Sequence, residues 1–249
     1  MTVIAVIPAR YASVRFPGKP LALLAGKPMV LRVLEAVRAA RRVDRVLVAT
    51  DDARIAECVR SAGGEAVLTA ADAASGTDRV AEVACRFPAD AYVNVQGDEP
   101  LMPAENVDRA VEMLESGPGR TLATLATPIG ADAAGDPNIV KVAVAADGRA
   151  LYFSRSPIPF FRQGVPAYRK HLGIYAYRAE TLADVTALPP SALERAESLE
   201  QLRWLEAGHT IWVGEAAGDS IGVDTPADLA HAERRWKDTE QQLAKEALT

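Results

Sequence analysis

Two cysteines in 249 residues, with no Cys-x-x-Cys spacing, offer neither a disulfide framework nor a thiolate metal site. Cys58 and Cys85 fall inside helix-like patterns, where a thiol is ordinarily a small core residue, and a reducing cytoplasm is the expected compartment. Long apolar runs are missing too. Charges and prolines interrupt every hydrophobic stretch well short of the roughly 20 residues that a membrane-crossing helix needs, so no membrane insertion is expected. The opening MTVIAVIPAR has no basic segment before its short apolar run and reads as a buried strand, not a signal peptide. Neither GxxxxGK(S/T) nor GxGxxG occurs, which excludes a Walker loop and a dinucleotide fingerprint. Bulk positive charge is likewise absent: 28 Lys and Arg against 33 Asp and Glu give a net charge of −5, which disfavours nucleic acid as a partner. That deficit is uneven. Residues 1–34 hold Arg10, Arg15, Lys19, Lys27 and Arg32 with no acidic residue, a net +5, and the remainder of the chain carries −10.

What is present is an alternation of strand and helix periods, the pattern of a layered α/β fold with a mostly parallel sheet flanked by helices. Val3 to Ile7 is continuously apolar, as a strand buried on both faces should be. A helix from Pro28, a strand RVLVAT (45–50), a helix ARIAECVRSA behind Asp51-Asp52, a short strand EAVLT, a helix beginning near Thr77 and a strand AYVNV (91–95) follow. Beyond Asp98, TLATLATPI, IVKVAVA, RALYFSR, HLGIYAYR and TIWVGEA are strand-like, with a hairpin predicted at Asp147-Gly148. ALERAESLEQLRWLEAG reads as one amphipathic helix ended by Gly208, and the charged stretch from Pro226 to about Ala247 as a helix covering a surface or a neighbouring subunit. At this length one domain over 1–249 is expected, with a smaller inserted lobe over approximately 120–190.

The basic loop Pro8-Ala-Arg10-Tyr-Ala-Ser13-Val-Arg15-Phe-Pro-Gly18-Lys19 follows a buried strand, where open α/β sheets place their ligands, and its cations suit a phosphate chain. Gln96-Gly97-Asp98-Glu99-Pro100 delivers a carboxylate at another strand end, with the hard oxygen that Mg²⁺ takes. Asp224, in Gly222-Val-Asp224-Thr-Pro, offers a second carboxylate or a plain helix N-cap. Ser75-Gly76-Thr77-Asp78-Arg79 can present backbone to a base or simply start a helix. Arg155 closes a strand with a cation that can meet a carboxylate, and His171 and Tyr175, four apart in a strand, share one face and can bind a polyol. Glu197, Glu200 and Gln201 lie near one side of a helix, where a solvated face is the alternative.

Together IPARYASVRFPGKPL, VATDD, SGTDRVAEV, VNVQGDEPLM, DPNIVKV, ALYFSR, HLGIYAYR, LEQLRWLEAG and GVDTPADL, in this order over residues 4 to about 230, resemble the sugar-activating cytidylyltransferases, in particular those acting on 3-deoxy-manno-octulosonate (Kdo). The resemblance implies a nucleotidyltransferase-type, Rossmann-like sheet whose smaller lobe forms a homodimer. It implies transfer of CMP from CTP to the anomeric hydroxyl of Kdo, with release of pyrophosphate, a Mg²⁺ requirement and a place in lipopolysaccharide biosynthesis. It implies that Arg10, Ser13, Arg15 and Lys19 hold the triphosphate, that Ser75, Gly76, Thr77 and Arg79 lie by the cytosine, and that Asp98 and Asp224 hold metal. Arg10, Lys19, Asp98 and Asp224 would form the catalytic set, and Gln96, Arg155, His171, Tyr175, Glu200 and Gln201 would line the sugar site. Another acidic acceptor, such as 8-amino-Kdo or a sialic acid, and a non-catalytic nucleotide-binding relative are the competing readings.

Overall fold

The computed structural model describes residues 1–12 and 15–246, with side chains of the last helix described through residue 238. The chain begins with β1 (Val3–Pro8), a single 3-10 turn (Lys19–Leu21), a small hairpin of β2 (Leu23–Leu24) and β3 (Lys27–Pro28), and α1 (Met29–Arg38). Four alternations follow: β4 (Arg45–Thr50) and α2 (Ala53–Ser61), β5 (Glu65–Leu68) and α3 (Gly76–Arg86), β6 (Ala91–Val95) and α4 (Ala104–Glu115), β7 (Leu122–Ile129) and α5 (Ala131–Ala134). Then come β8 (Lys141–Val144), β9 (Ala150–Ser154), β10 (Tyr168–Arg178), α6 (Ala179–Ala187), α7 (Ala192–Glu197), α8 (Gln201–Glu206), β11 (Trp212–Glu215) and α9 (Pro226–Glu246).

The sheet runs β11-β7-β10-β6-β1-β4-β5. β1 pairs in parallel with β4 and β6, β4 with β5, and β11 with β7, whereas β10 runs antiparallel to both β6 and β7. This is the mostly parallel, helix-flanked sheet expected of a nucleotidyltransferase. The continuous apolar character of β1 has a direct cause. Val3, Ala5 and Ile7 face a layer formed by α1, α2 and α4, while Ile4 and Val6 face the opposite layer of α3, α6 and α8, so both faces of the strand are out of water. The hairpin predicted at Asp147-Gly148 joins β8 to β9, with Gly148 at φ 93° in the turn. It hangs from the sheet through the Lys170–Lys141 pairing to β10.

Two expectations are corrected. Residues 192–208 are not one helix: Ser198 takes a left-handed conformation at φ 52° and breaks the segment into α7 and α8. The break turns Glu197 toward β9, where it accepts from Ser154 Oγ at 2.6 Å and from the Arg155 N–H at 2.9 Å, contacts that a straight helix would not allow. Cys85 is exposed on α3 and not a core thiol; Cys58 is half-buried, and both are free.

α9 does cover a surface. Leu229, Ala232 and Trp236 pack against Phe16, Leu24 and Met29, and the Arg32 guanidinium lies 4.1 Å from the centre of the Trp236 ring. Among the described residues no helix is long and apolar enough to cross a membrane.

Candidate active site

Parallel strands expose their carboxyl ends at one edge of a sheet, and the two richest loops of the sequence emerge there side by side. β1 ends at Pro8 and β6 at Val95, and the Gly97 N–H donates to the Pro8 carbonyl at 3.2 Å. A Cβ on residue 97 would stand 2.4 Å from that carbonyl oxygen, so glycine is what permits the two strand-end loops to touch. The basic loop closes through the Gly18 N–H on the Tyr11 carbonyl at 3.0 Å, and Gly18, at φ 71°, starts the turn that carries Lys19. From the other end of the chain, the Val223 N–H donates to the Asp98 carbonyl at 2.8 Å, which sets Asp224 beside Asp98.

These contacts bring three of the four expected catalytic residues, Lys19, Asp98 and Asp224, together, with Arg10 in the wall of the adjoining cavity. Lys19 Nζ lies 2.7 Å from Asp98 Oδ2 and 3.2 Å from Asp224 Oδ1, and Arg15 reaches Asp224 Oδ2 at 3.0 Å. Asp224 is not the cap of α9. Thr225 Oγ1 accepts from the Asp228 N–H at 3.2 Å while Asp228 Oδ2 accepts from the Thr225 and Asp224 N–H groups, a reciprocal cap that leaves the Asp224 carboxylate free for the site.

Two cavities share this cluster. The smaller, of about 270 Å³, lies between the basic loop and the start of α3; Arg10, Arg15, Lys19, Ser75, Gly76 and Arg79 line it. Ser75 caps α3 in a reciprocal cap with Asp78, and a Cβ on Gly76 would lie 3.3 Å from Gln96 Oε1. Thr77 departs from the expected nucleotide contact: it is buried outside both cavities and donates to Glu200 Oε2 at 2.6 Å. Arg79 touches the cavity but is committed elsewhere, to Thr69 Oγ1 at 2.7 Å, the Ala70 carbonyl at 2.9 Å and Asp51 Oδ2 at 3.1 Å; it braces the ends of β4 and β5. Ser13 lies outside the described residues.

The larger cavity, of about 930 Å³, includes Arg155, His171, Tyr175, Glu200 and Gln201 in its wall, and shares Arg15, Gln96, Asp98 and Asp224 with the smaller one. The Arg155 guanidinium is held by main-chain carbonyls, Glu197 at 2.7 Å, Pro137 at 3.0 Å and Ser198 at 3.4 Å. Neutral carbonyls fix its direction without cancelling its charge, so it can still attract an anion. The rings of His171 and Tyr175 lie 5.3 Å apart across the same cavity, as their spacing predicts. Burial depresses the His171 pKa to about 3, so the imidazole is neutral. Burial also raises the Tyr175 hydroxyl well above its ordinary value and pushes the Glu200 carboxyl upward.

Sequence reasoning passed over Glu99. It lines the larger cavity, its Oε2 is buried with no hydrogen-bond partner among the described residues, and burial raises its pKa to about 7. Its signal was visible, a second carboxylate in Gly-Asp-Glu-Pro, but the strand-end position of Asp98 drew the assignment. Lys141 was also missed: fully buried, it donates to the carbonyls of Asp136, Ile139 and Arg155, tying one strip of cavity wall to another.

Comparisons with known proteins agree with this geometry. Residues 4–211 match the cytidylyltransferase family model. A 3-deoxy-manno-octulosonate cytidylyltransferase of Geobacter sulfurreducens is 50% identical over 243 residues, 92% of this chain and 97% of its own. That of Syntrophobacter fumaroxidans is 51% identical over 236 residues, covering 92% and 94%. A solved CMP:2-keto-3-deoxy-manno-octonic acid synthetase complexed with CTP superposes with a TM-score of 0.91 at 44% identity, over 96% of this chain and all of the other. A cytidylyltransferase from Leptospira borgpetersenii, 18% identical with a TM-score of 0.61 over 92% of this chain and 83% of its own, shares the fold. The chain belongs to the cytidylyltransferase family, among its 3-deoxy-manno-octulosonate cytidylyltransferases.

Proposed function

We propose that the protein transfers CMP from CTP to the anomeric hydroxyl of Kdo, releasing pyrophosphate and forming CMP-Kdo for lipopolysaccharide biosynthesis. The observation that carries this reading is the meeting of two cavities at one pair of carboxylates, Asp98 and Asp224. A donor nucleotide in the smaller and an acceptor sugar in the larger would bring their reacting atoms together at that boundary. The names of the close relatives, and the CTP held by the solved one, support the same pair of substrates.

In this reading Arg10, Arg15 and Lys19 hold the triphosphate, and Ser75 and Gly76 border the base. The anomeric oxygen forms a bond to the α-phosphorus while the bond to the β-phosphate oxygen breaks and the hydroxyl proton leaves. The chain's tasks are in-line positioning and charge neutralisation around the leaving pyrophosphate, for which Lys19 and the two arginines are suited. Arg155 faces the sugar carboxylate; Gln96, His171, Tyr175, Glu200 and Gln201 border its hydroxyls. His171, with a pKa of about 3, is too weak a base to take the hydroxyl proton near neutral pH.

The residues fit Mg²⁺. Asp98 Oδ2 and Asp224 Oδ1 converge on one cationic point, held here by Lys19 Nζ at 2.7 and 3.2 Å, and two carboxylates completed by water and phosphate suit this ion. When bound, it would polarise the phosphoryl group and neutralise part of its charge. A homodimer and a cytoplasmic setting belong to the same proposal. The exposed apolar side chains of Leu151, Phe160 and Val165 support the first, and the free thiols of Cys58 and Cys85 support the second.

The test is pyrophosphate release measured with CTP or UTP against Kdo, 8-amino-Kdo and a sialic acid, with Mg²⁺ supplied and withheld. Release with CTP and Kdo that needs Mg²⁺ is the expected result. Turnover of another sugar with none of Kdo would reject the acceptor assignment.

A further inference from the structure

The wall of the acceptor cavity contains a hydrogen-bond chain that none of the expected sugar contacts explains. Thr124, fully buried on β7, places Oγ1 3.0 Å from His171 Nε2, 2.7 Å from the Ile174 carbonyl oxygen and 3.3 Å from the Leu172 carbonyl oxygen. A threonine hydroxyl has one hydrogen to give, and a carbonyl can only accept. Two oxygens 2.7 Å apart repel unless a hydrogen lies between them, so the Thr124 hydrogen points to the Ile174 carbonyl. Oγ1 is then left with lone pairs toward the imidazole, and the Nε2 of His171 must carry the proton it donates. In a neutral imidazole the other nitrogen is an acceptor.

The local sequence builds this chain. Along β10 the register passes from Leu172 opposite Leu125 to Tyr175 opposite Thr124, so two residues of β10, Gly173 and Ile174, are accommodated where β7 advances by one step. That irregularity brings the Ile174 carbonyl onto Thr124. Gly173 makes room, since a Cβ there would stand 3.0 Å from Glu99 Oε1. The imidazole is confined by the edge of Phe153 at 5.0 Å and by Tyr175 at 5.3 Å. Among the described residues nothing hydrogen-bonds Nδ1.

We infer that Thr124 is a positioning residue that fixes His171 in the Nε2-protonated tautomer and so presents Nδ1 to the cavity as an acceptor for a hydroxyl of the sugar. An acceptor nitrogen selects for an O–H donor and offers nothing to a carboxylate or phosphate oxygen. The wall is thereby divided in its chemistry: Arg155 attracts the anionic end of the acceptor and His171 a hydroxyl. The sugar half of this inference rests on the proposed acceptor site; the tautomer does not.

Long-range ¹H–¹⁵N correlation spectra of the full chain labelled with ¹⁵N-histidine test it, first without substrate and then with Kdo added. The sequence has three histidines, so the His171 signals are identified by their loss in His171→Asn. The expected spectrum of the free protein shows His171 with Nε2 protonated and Nδ1 bare; the opposite tautomer or an imidazolium would overturn the inference whatever the substrate. Kdo should then move the bare Nδ1 signal in the direction of an accepted hydrogen bond. The correct tautomer with an Nδ1 signal indifferent to saturating Kdo would reject the sugar contact while leaving the wiring intact. Thr124→Val should populate both tautomers and raise the KM for Kdo roughly tenfold, the scale of one hydrogen bond, with the KM for CTP unchanged, and Thr124→Ser should restore both readouts. Should Thr124→Val not fold, the wild-type spectra still decide both points.

Discussion

Lys19 is wedged between two carboxylates with its side chain 11% exposed, against 32% for Asp98 and 48% for Asp224. Such a cation is held by neighbours that a phosphate chain and a metal ion would each compete for, so substrate binding must redistribute charge in this cluster. Replacing Asp98 by Asn removes charge without altering shape or the main-chain bond to Val223. Turnover should fall by at least about 10²-fold, the scale of a lost transition-state electrostatic contact, with the circular dichroism spectrum unchanged. His171 gives a second expectation at this scale. Its folded pKa of about 3 lies below the ordinary 6.5, so in this window the unfolded chain binds a proton that the folded one refuses, and the histidine's contribution to stability falls as pH drops through it. Between pH 6.5 and 4.5 the wild type should lose roughly 2–3 kcal/mol relative to His171→Asn in denaturant unfolding; parallel curves would contradict an imidazole that stays neutral in the folded protein. At the residue scale, Lys19, Asp98 and Gly97 were legible because strand-end loops with charge and glycine have few other uses. Thr77 and Arg79 were not, since no local pattern reveals that a hydroxyl turns inward to Glu200 or that a guanidinium is consumed by Thr69, Ala70 and Asp51.

Among the elements, α9 has the clearest link to chemistry. Its reciprocal cap of Thr225 and Asp228 fixes the residue just before it, Asp224, and its apolar face of Leu229, Ala232 and Trp236 seats the helix on the basic loop's own hairpin. Asp228→Ala should cost about 1 kcal/mol of stability, the usual value of a lost cap, and raise the Mg²⁺ concentration needed for half-maximal activity. Stability loss with an unchanged Mg²⁺ profile would separate the helix from the site. Helical periodicity announced this element, as a continuous apolar run announced β1 and Asp147-Gly148 announced the hairpin. The break at Ser198 went unread because the residues on either side keep a helical pattern. What separates α7 from α8 is tertiary: Glu197 is drawn to Ser154 and Arg155, and Glu200 to Thr77. The irregularity at Gly173-Ile174 was hidden for the same reason, since a strand that keeps its alternating faces on both sides of a two-residue excursion looks unbroken in sequence.

For the whole molecule, the position of β10 is decisive. It enters between β6 and β7 and runs against both, which carries His171 and Tyr175 to the same edge as Asp98. Strand order of this kind depends on pairings between residues far apart in sequence, and no local signal encodes it. Charge behaves differently. Three of the five cations in the first 34 residues, Arg10, Arg15 and Lys19, line the smaller cavity while carboxylates from residues 98 and 224 close it, so a triphosphate and a divalent cation would complete a balance that the protein leaves open; Lys27 is paired with Glu35 and Arg32 lies over Trp236. The proposed homodimer makes its own prediction: sedimentation should give a dimer for the wild type and a monomer for Phe160→Asp, whose parent side chain is 88% exposed, and a wild-type monomer would dismiss it. The central claim is the transfer itself, and a ³¹P NMR time course of CTP, Kdo and Mg²⁺ with the purified protein tests it most directly. The account predicts that the CTP signals decline as a sugar–CMP phosphodiester and pyrophosphate grow in equal amounts; CTP that persists, or that gives CDP or CMP without the diester, would contradict it.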